Sequence, residues 1–172
     1  MDARKKSEPA VLQNPTTVER TSERELVVTR MVNGPPRLVF QAWVQPDLFK
    51  QWWVPKSFPI TLLSCEADVR VGGRYRLVFS AGASEPMEFF GRYLEVTPPS
   101  RLVWTNDEVA DGGPVTTVTF EEKSGNTLLV MHELYLSKEA LDAAMDSGEK
   151  SGVNETFDQL DAVLATLGAG AA

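Results

Sequence analysis

Two stretches decide the fold: Asp68-Val69-Arg70-Val71-Gly72-Gly73-Arg74-Tyr75-Arg76, and Gly152-Val153-Asn154-Glu155-Thr156-Phe157-Asp158-Gln159-Leu160-Asp161-Ala162-Val163-Leu164. The first reads as strand, two-glycine turn, strand, because paired glycines permit the backbone of a tight turn. In the second, Val153, Phe157, Leu160, Leu164 and Leu167 recur at steps of four and three, which predicts a long amphipathic helix. Strands in the middle and one long helix at the end can wrap a sheet around a helix and leave a cavity between them.

Working outward, residues 23–32 carry Leu26, Val27, Val28 and Met31 and predict a first strand. Asn33-Gly34-Pro35-Pro36 ends it. Val39, Phe40, Trp43 and Val44 then follow helical spacing, and so do Leu48, Phe49, Trp52 and Trp53, up to Pro55. Two short helices are expected there. Six more strands follow between residues 58 and 136, with Gly91 inside one of them as a bend or bulge. Ser137 is placed to cap a further helix start. The expectation is an α+β fold with a curved, seven-stranded antiparallel sheet around the last helix, and two short helices between the first and second strands. Residues 22–168 form the domain. Residues 1–21 are read as a flexible extension and 169–172 as a flexible tail.

Composition narrows the function. A net charge of −7 repels the phosphate backbone, so no nucleic-acid partner is expected. No apolar window is long enough to span a bilayer. Cys65 is the single cysteine and has no internal disulfide partner, which suits a reducing cytoplasm. Neither a histidine-rich metal site nor a cysteine cluster is spaced in the chain, and no metal or cofactor is expected. His132 is the single histidine, and no nucleophile elbow accompanies it, so no catalytic residue is assigned. Glu66, Asp68, Arg74, Arg76, Glu88, Arg92 and Glu95 either pair across strands on a solvated face or orient a polar group inside the cavity. An outward row of apolar groups would mark a homodimer surface.

Further residues carry a resemblance. They are Thr29-Arg30, Pro36 with Val39-Phe40-Gln41-Ala42-Trp43, Pro46-Asp47-Leu48, Trp52-Trp53-Val54-Pro55, and the 68–76 turn. Gly91-Arg92-Tyr93-Leu94-Glu95-Val96, Pro98-Pro99, Arg101-Leu102, Gly125-Asn126-Thr127, His132 and the helix from Gly152 complete the set. In order and spacing the chain resembles the START-like, helix-grip superfamily, and within it the group named after the activator of Hsp90 ATPase. The resemblance implies a cavity between sheet and last helix that holds a small apolar or aromatic molecule. On that reading the wall is Trp52, Phe58, Phe79, Phe89, Tyr93, Trp104, Met131 and Phe157. Relatives often carry tryptophan after the glycine that heads the last helix; here Val153 stands there, which is expected to change the cavity mouth. Only residues 1–21 precede the first expected strand, so Hsp90 interaction is not implied. A non-enzymatic binding protein is expected, with a stress-related role left open by the resemblance. A cyclase- or hydrolase-type enzyme in the same cavity, and a chaperone-linked regulatory interaction protein, are the alternatives.

Overall fold

The computed structural model describes residues 14–82, 85–110, 112–147 and 152–170. In chain order the strands are β1 (Thr16–Arg20), β2 (Glu25–Val32), β3 (Thr61–Ala67), β4 (Arg74–Ser80), β5 (Met87–Thr97), β6 (Arg101–Thr105), β7 (Val115–Lys123) and β8 (Asn126–Leu134). The helices are α1 (Pro36–Val44) and α2 (Pro46–Phe49) between β2 and β3, then α3 (Lys138–Asp146) and α4 (Val153–Gly170) after β8. The strands form one antiparallel sheet in the order β1-β2-β8-β7-β6-β5-β4-β3. The expected α+β architecture, a long antiparallel sheet with a C-terminal helix, is present.

Two boundaries differ from expectation. The sheet has an eighth strand, β1, inside the stretch read as an extension. It pairs with β2 from Thr16 opposite Arg30 to Arg20 opposite Leu26. None of its side chains is buried, so it shows no alternation of apolar and polar residues to read. Residues 1–13 lie outside the described residues. At the other end α4 continues to Gly170, past the point where the tail was expected to begin; residues 171–172 also lie outside the described residues.

Each inner face follows from the strand period of two. Leu26, Val28, Arg30 and Val32 point inward from β2, Thr116, Val118 and Phe120 from β7, and Thr127, Leu129, Met131 and Glu133 from β8. The α4 stripe lies over them: Phe157, Leu160 and Leu164 are buried as the spacing predicts. Trp43 of α1 joins the helices to the sheet, with its ring 4.9 Å from Trp52 and 6.0 Å from Phe120. Its buried Nε1 has no hydrogen-bond acceptor among the described residues.

One buried charge ties the layers together. Arg30 is 1 % exposed, and its Nη2 donates to Asp158 Oδ1 and Asp161 Oδ2, both at 2.7 Å. Its Nη1 donates to Thr16 Oγ1 of β1 and to Asn154 Oδ1 and O of α4. Asp161 Oδ1 accepts the Asn33 backbone N–H at 2.8 Å, which fixes the exit of β2. Burial holds the Asp161 carboxyl above its usual value, although Asn33 and Arg30 pull it down. The clamp therefore positions α4 more than it adds net electrostatic stability. Arg30→Met strands Asp161 in the interior and is expected to cost about 3–5 kcal/mol in urea unfolding. Replacing both partners (Arg30→Met with Asp161→Leu) should recover much of that loss, whereas a single variant within about 1 kcal/mol of wild type would contradict this role for the clamp.

Candidate functional site

Sheet and α4 do not close fully on each other. Between them lies a cavity of about 760 Å³. Its floor is the inner face of the sheet: Tyr75, Leu77 and Phe79 of β4, Met87, Phe89 and Tyr93 of β5, Trp104 of β6, and Met131 and Glu133 of β8. The helices and the loop after α2 supply the rest, from Trp43, Phe49, Trp53 and Phe58 to Ala144 of α3 and Val153, Thr156 and Phe157 of α4.

The curvature comes from identifiable positions. At Gly91 a Cβ would stand 2.0 Å from the Thr105 carbonyl oxygen, so only glycine lets β5 press against the end of β6. The pairing register shifts between Leu62 and Ser64 in β3 and between Tyr93 and Glu95 in β5, and bulges of this kind bend a strand. The Gly72-Gly73 turn then locks onto the bent strand: Gly72 N–H donates to the Tyr93 carbonyl and Tyr93 N–H to the Gly73 carbonyl, at 2.8 and 2.9 Å. Gly73 has no room for a Cβ, which would lie 1.9 Å from the Asp68 carbonyl oxygen.

The opposite wall is pinned from α4. Gln159 Nε2 donates to the Trp52 and Val54 carbonyls, and its Oε1 accepts the Lys56 N–H at 2.8 Å. Glu155 accepts from the Ser57 N–H and hydroxyl. Gly152 is packed so tightly that an added Cβ would lie 2.8 Å from both Phe58 and Pro55. These bonds hold the loop that carries Trp53 and Phe58.

Of the eight residues expected in the wall, Phe58, Phe79, Phe89, Tyr93, Trp104, Met131 and Phe157 line the cavity. Trp52 does not. It is 0 % exposed, and its Nε1 donates to the Ala42 carbonyl at 3.0 Å, so it belongs to the core beneath the site. Its neighbour Trp53 faces the cavity instead, stacked on Phe49 at 4.7 Å. The four-residue step from Phe49 to Trp53 was the available signal. Val153 borders the cavity. Phe89 is 39 % exposed and meets Phe79 edge to face at 5.2 Å, which places this pair towards the opening.

The polar groups in the wall fall into two hydrogen-bonded sets, side by side in the β7–β8 register, that sequence reasoning missed. Tyr75 Oη donates to the Thr105 carbonyl at 2.7 Å and approaches Asn106 Oδ1 at 3.3 Å. Asn106 Nδ2 donates to the Pro114 carbonyl and to Thr116 Oγ1. Thr116 stands opposite Glu133 in the β7–β8 register, and Tyr135 Oη donates to Glu133 Oε1 at 2.9 Å. Burial pushes the Tyr75 phenol far above its ordinary range, with the Glu108 charge adding to it. Burial also pushes Tyr93 up to about 12, so both remain hydroxyls at neutral pH.

Most charged candidates face the other way. Arg76 pairs with Glu88 at 2.7 Å, Arg92 with Asp107 at 3.4 Å and Arg101 with Glu95 at 3.0 Å, at exposed positions. His132 alternates with inward-facing Met131 and Glu133, so it lies on the outer face, where it meets Glu25 Oε2 at 2.9 Å. No group of three histidine, cysteine or acidic residues is placed to hold a metal among the described residues. No helix among them is long and apolar enough to cross a membrane.

Cys65 also lines the cavity, and burial pushes its thiol up to about 11; Lys50 pulls it down, while Asp47 and Glu66 add to the rise. Iodoacetamide alkylation of the native protein should therefore keep accelerating past pH 10, because the thiolate is the nucleophile. The urea-unfolded chain should level off near the ordinary thiol value of about 8.5. A native profile that levels off at that same ordinary value would show that Cys65 is solvated rather than in the wall.

Comparison with known proteins agrees with this architecture. The family model described as activator of Hsp90 ATPase homolog 1-like protein matches residues 33–165. A crystal structure of a Rhodobacter sphaeroides protein superposes with a TM-score of 0.81 at 24% identity, covering 89% of this chain and 99% of that one. A Nitrosomonas europaea protein gives 0.78 at 24% identity, with 87% and 99% covered. The solution structure of an AHSA1-like protein from Aeromonas hydrophila gives 0.67 at 22% identity, with 80% and 92% covered. No functionally curated protein matches the sequence. With most of its length matched by the family model, the chain belongs to the activator of Hsp90 ATPase homolog 1-like family.

Proposed function

We propose that this protein binds a small apolar or aromatic molecule in the cavity between sheet and α4. The observation that carries the reading is the cavity itself: about 760 Å³ walled mainly by aromatic and aliphatic side chains. Specific small-molecule pockets occupy roughly 300–1,000 Å³ and combine an apolar lining with a few placed polar groups. Trp43, Trp53, Trp104 and Phe157 offer ring faces and edges, while Tyr75, Asn106 and Thr116 offer hydrogen bonds. Ring contacts favour an aromatic guest beyond the area it buries. The wall is held by backbone bonds, the Gln159 clip and the Arg30 clamp, so little ordering is needed on binding.

A binding role is favoured over catalysis because the histidine lies on the outer face, away from the cavity. The cavity, rather than an outer surface, is favoured as the working feature because the outer strands pair their charges across the sheet.

The test uses N-phenyl-1-naphthylamine, an uncharged dye that fluoresces in apolar surroundings. Wild type should bind it with a Kd in the micromolar range, about −8 kcal/mol. Ala67→Phe places a ring into the cavity from β3 and should weaken dye binding at least about tenfold, with Tm unchanged or raised. Equal binding by the two proteins would put the dye elsewhere and count against the cavity.

A further inference from the structure

One part of the cavity wall is held differently from the rest, and this bears on how a guest enters and leaves; the inference rests on the binding role above. Residues 54–60, the loop that leads into β3, set Val54, Pro55, Phe58 and Ile60 against the cavity. None of residues 54–60 is fully buried, and Lys56, Ser57 and Pro59 are exposed. Among the described residues the backbone–backbone bond of this loop is internal, from the Phe58 N–H to the Pro55 carbonyl. The bonds that reach its backbone from elsewhere come from two side chains of α4. Gln159 donates to the Val54 carbonyl and accepts the Lys56 N–H, both at 2.8 Å. Glu155 accepts the Ser57 N–H at 3.0 Å and the Ser57 hydroxyl. The bonds to Lys56 and Ser57 lie at the surface. An exposed hydrogen bond exchanges with water at small net cost. A segment held by such bonds, with little buried apolar surface, opens ahead of the rest of a fold.

The loop also stands at the mouth. Ile60 runs directly into β3, where Leu62 pairs with Phe79, and Phe79 pairs in turn with Met87 of β5. Met87 and Phe89 line the cavity yet are 41 % and 39 % exposed, so they are wall and outer surface at once and mark the rim. Ile60 lies beside that rim, with Phe58 two residues further along the loop. Lifting the loop therefore widens the mouth while the sheet stays paired.

We propose that residues 54–60 are a flap through which the guest exchanges, and that Glu155 and Gln159 are its latch. Neither latch residue is among the described residues that line the cavity, so the latch closes on the empty and the filled cavity alike. Weakening it raises the open fraction of both states together. Entry and release then speed up in step, and affinity changes little.

The test is stopped-flow fluorescence with N-phenyl-1-naphthylamine, reading entry on mixing and release on dilution. Glu155→Ala and Gln159→Ala keep a good helix former in α4. Each should raise both rate constants at least about threefold, with Kd within about twofold of wild type. Ser57→Cys with Glu155→Cys, in a Cys65→Ser background, supplies two thiols at the latch for a short bis-maleimide to bridge. Unbridged, this protein should exchange dye faster than Cys65→Ser alone; bridged, at least about tenfold more slowly. Where a single variant fails to fold, the bridged protein decides. Rates unchanged in both single variants, or a bridged protein as fast as its unbridged form, would overturn the latch while leaving the binding role intact. Faster release with weaker binding and unchanged entry would overturn it too, because the two side chains would then shape the bound state alone. Failure of the dye to bind wild type would instead refute the binding role, and this inference with it.

Discussion

Everything in this fold depends on where α4 is held, and that is set by a guanidinium buried between helix and sheet. Arg30 projects from the inner face of β2 and is gripped by Asp158, Asp161 and Asn154 of α4. From β1 it receives Thr16. The middle of α4 is thereby drawn onto the core, where Leu160 and Leu164 are fully packed and a Cβ added at Gly34 would lie 3.5 Å from Leu164. On the other side of its first turns, Val153, Thr156 and Phe157 stand over the part of the sheet that curves away, and the gap becomes the cavity. An apolar pair at positions 30 and 161 could stabilise the fold as well. It would lack the directional bonds that fix helix against strand, and the cavity depends on that placement.

The second requirement is curvature. A flat sheet under a helix fills with side chains and leaves no room. Here Gly91 and the two register shifts turn β3, β4 and the first part of β5 into a raised wall, and the Gly72-Gly73 turn fastens it. The indole cluster of Trp43, Trp52 and Trp53 faces it, with Trp52 as buried support and Trp53 as working surface. Adjacent residues thus divide between stability and site, so substitution at the two should give different outcomes.

The sheet and the helices were legible in the sequence because they rest on periodicity, and most of the wall through the resemblance. The stripe from Val153 to Leu167 marked the buried face of α4, and the wall residues Phe79, Phe89, Tyr93 and Met131, expected from the resemblance, line the cavity on the inner face of the sheet. Three things were hidden. Strand β1 buries nothing and shows no pattern; it is defined only by its pairing with β2. The exchange of Trp52 for Trp53 turned on the rotation of a short helical turn, which spacing alone leaves ambiguous over so few residues. The two polar sets, Tyr75 to Thr116 and Glu133 with Tyr135, join β4, the β6–β7 loop, β7 and the end of β8, and such juxtaposition is set by register rather than by any local motif.

The account stands most directly on native mass spectrometry of the purified protein, followed by denaturing extraction. It predicts a species heavier than the bare chain by the mass of a small guest, released on unfolding and apolar or aromatic in chemical character. A bare chain before and after exposure to panels of lipids, flavonoids and polyketides would contradict it. The cavity would then be a packing feature of the helix and sheet.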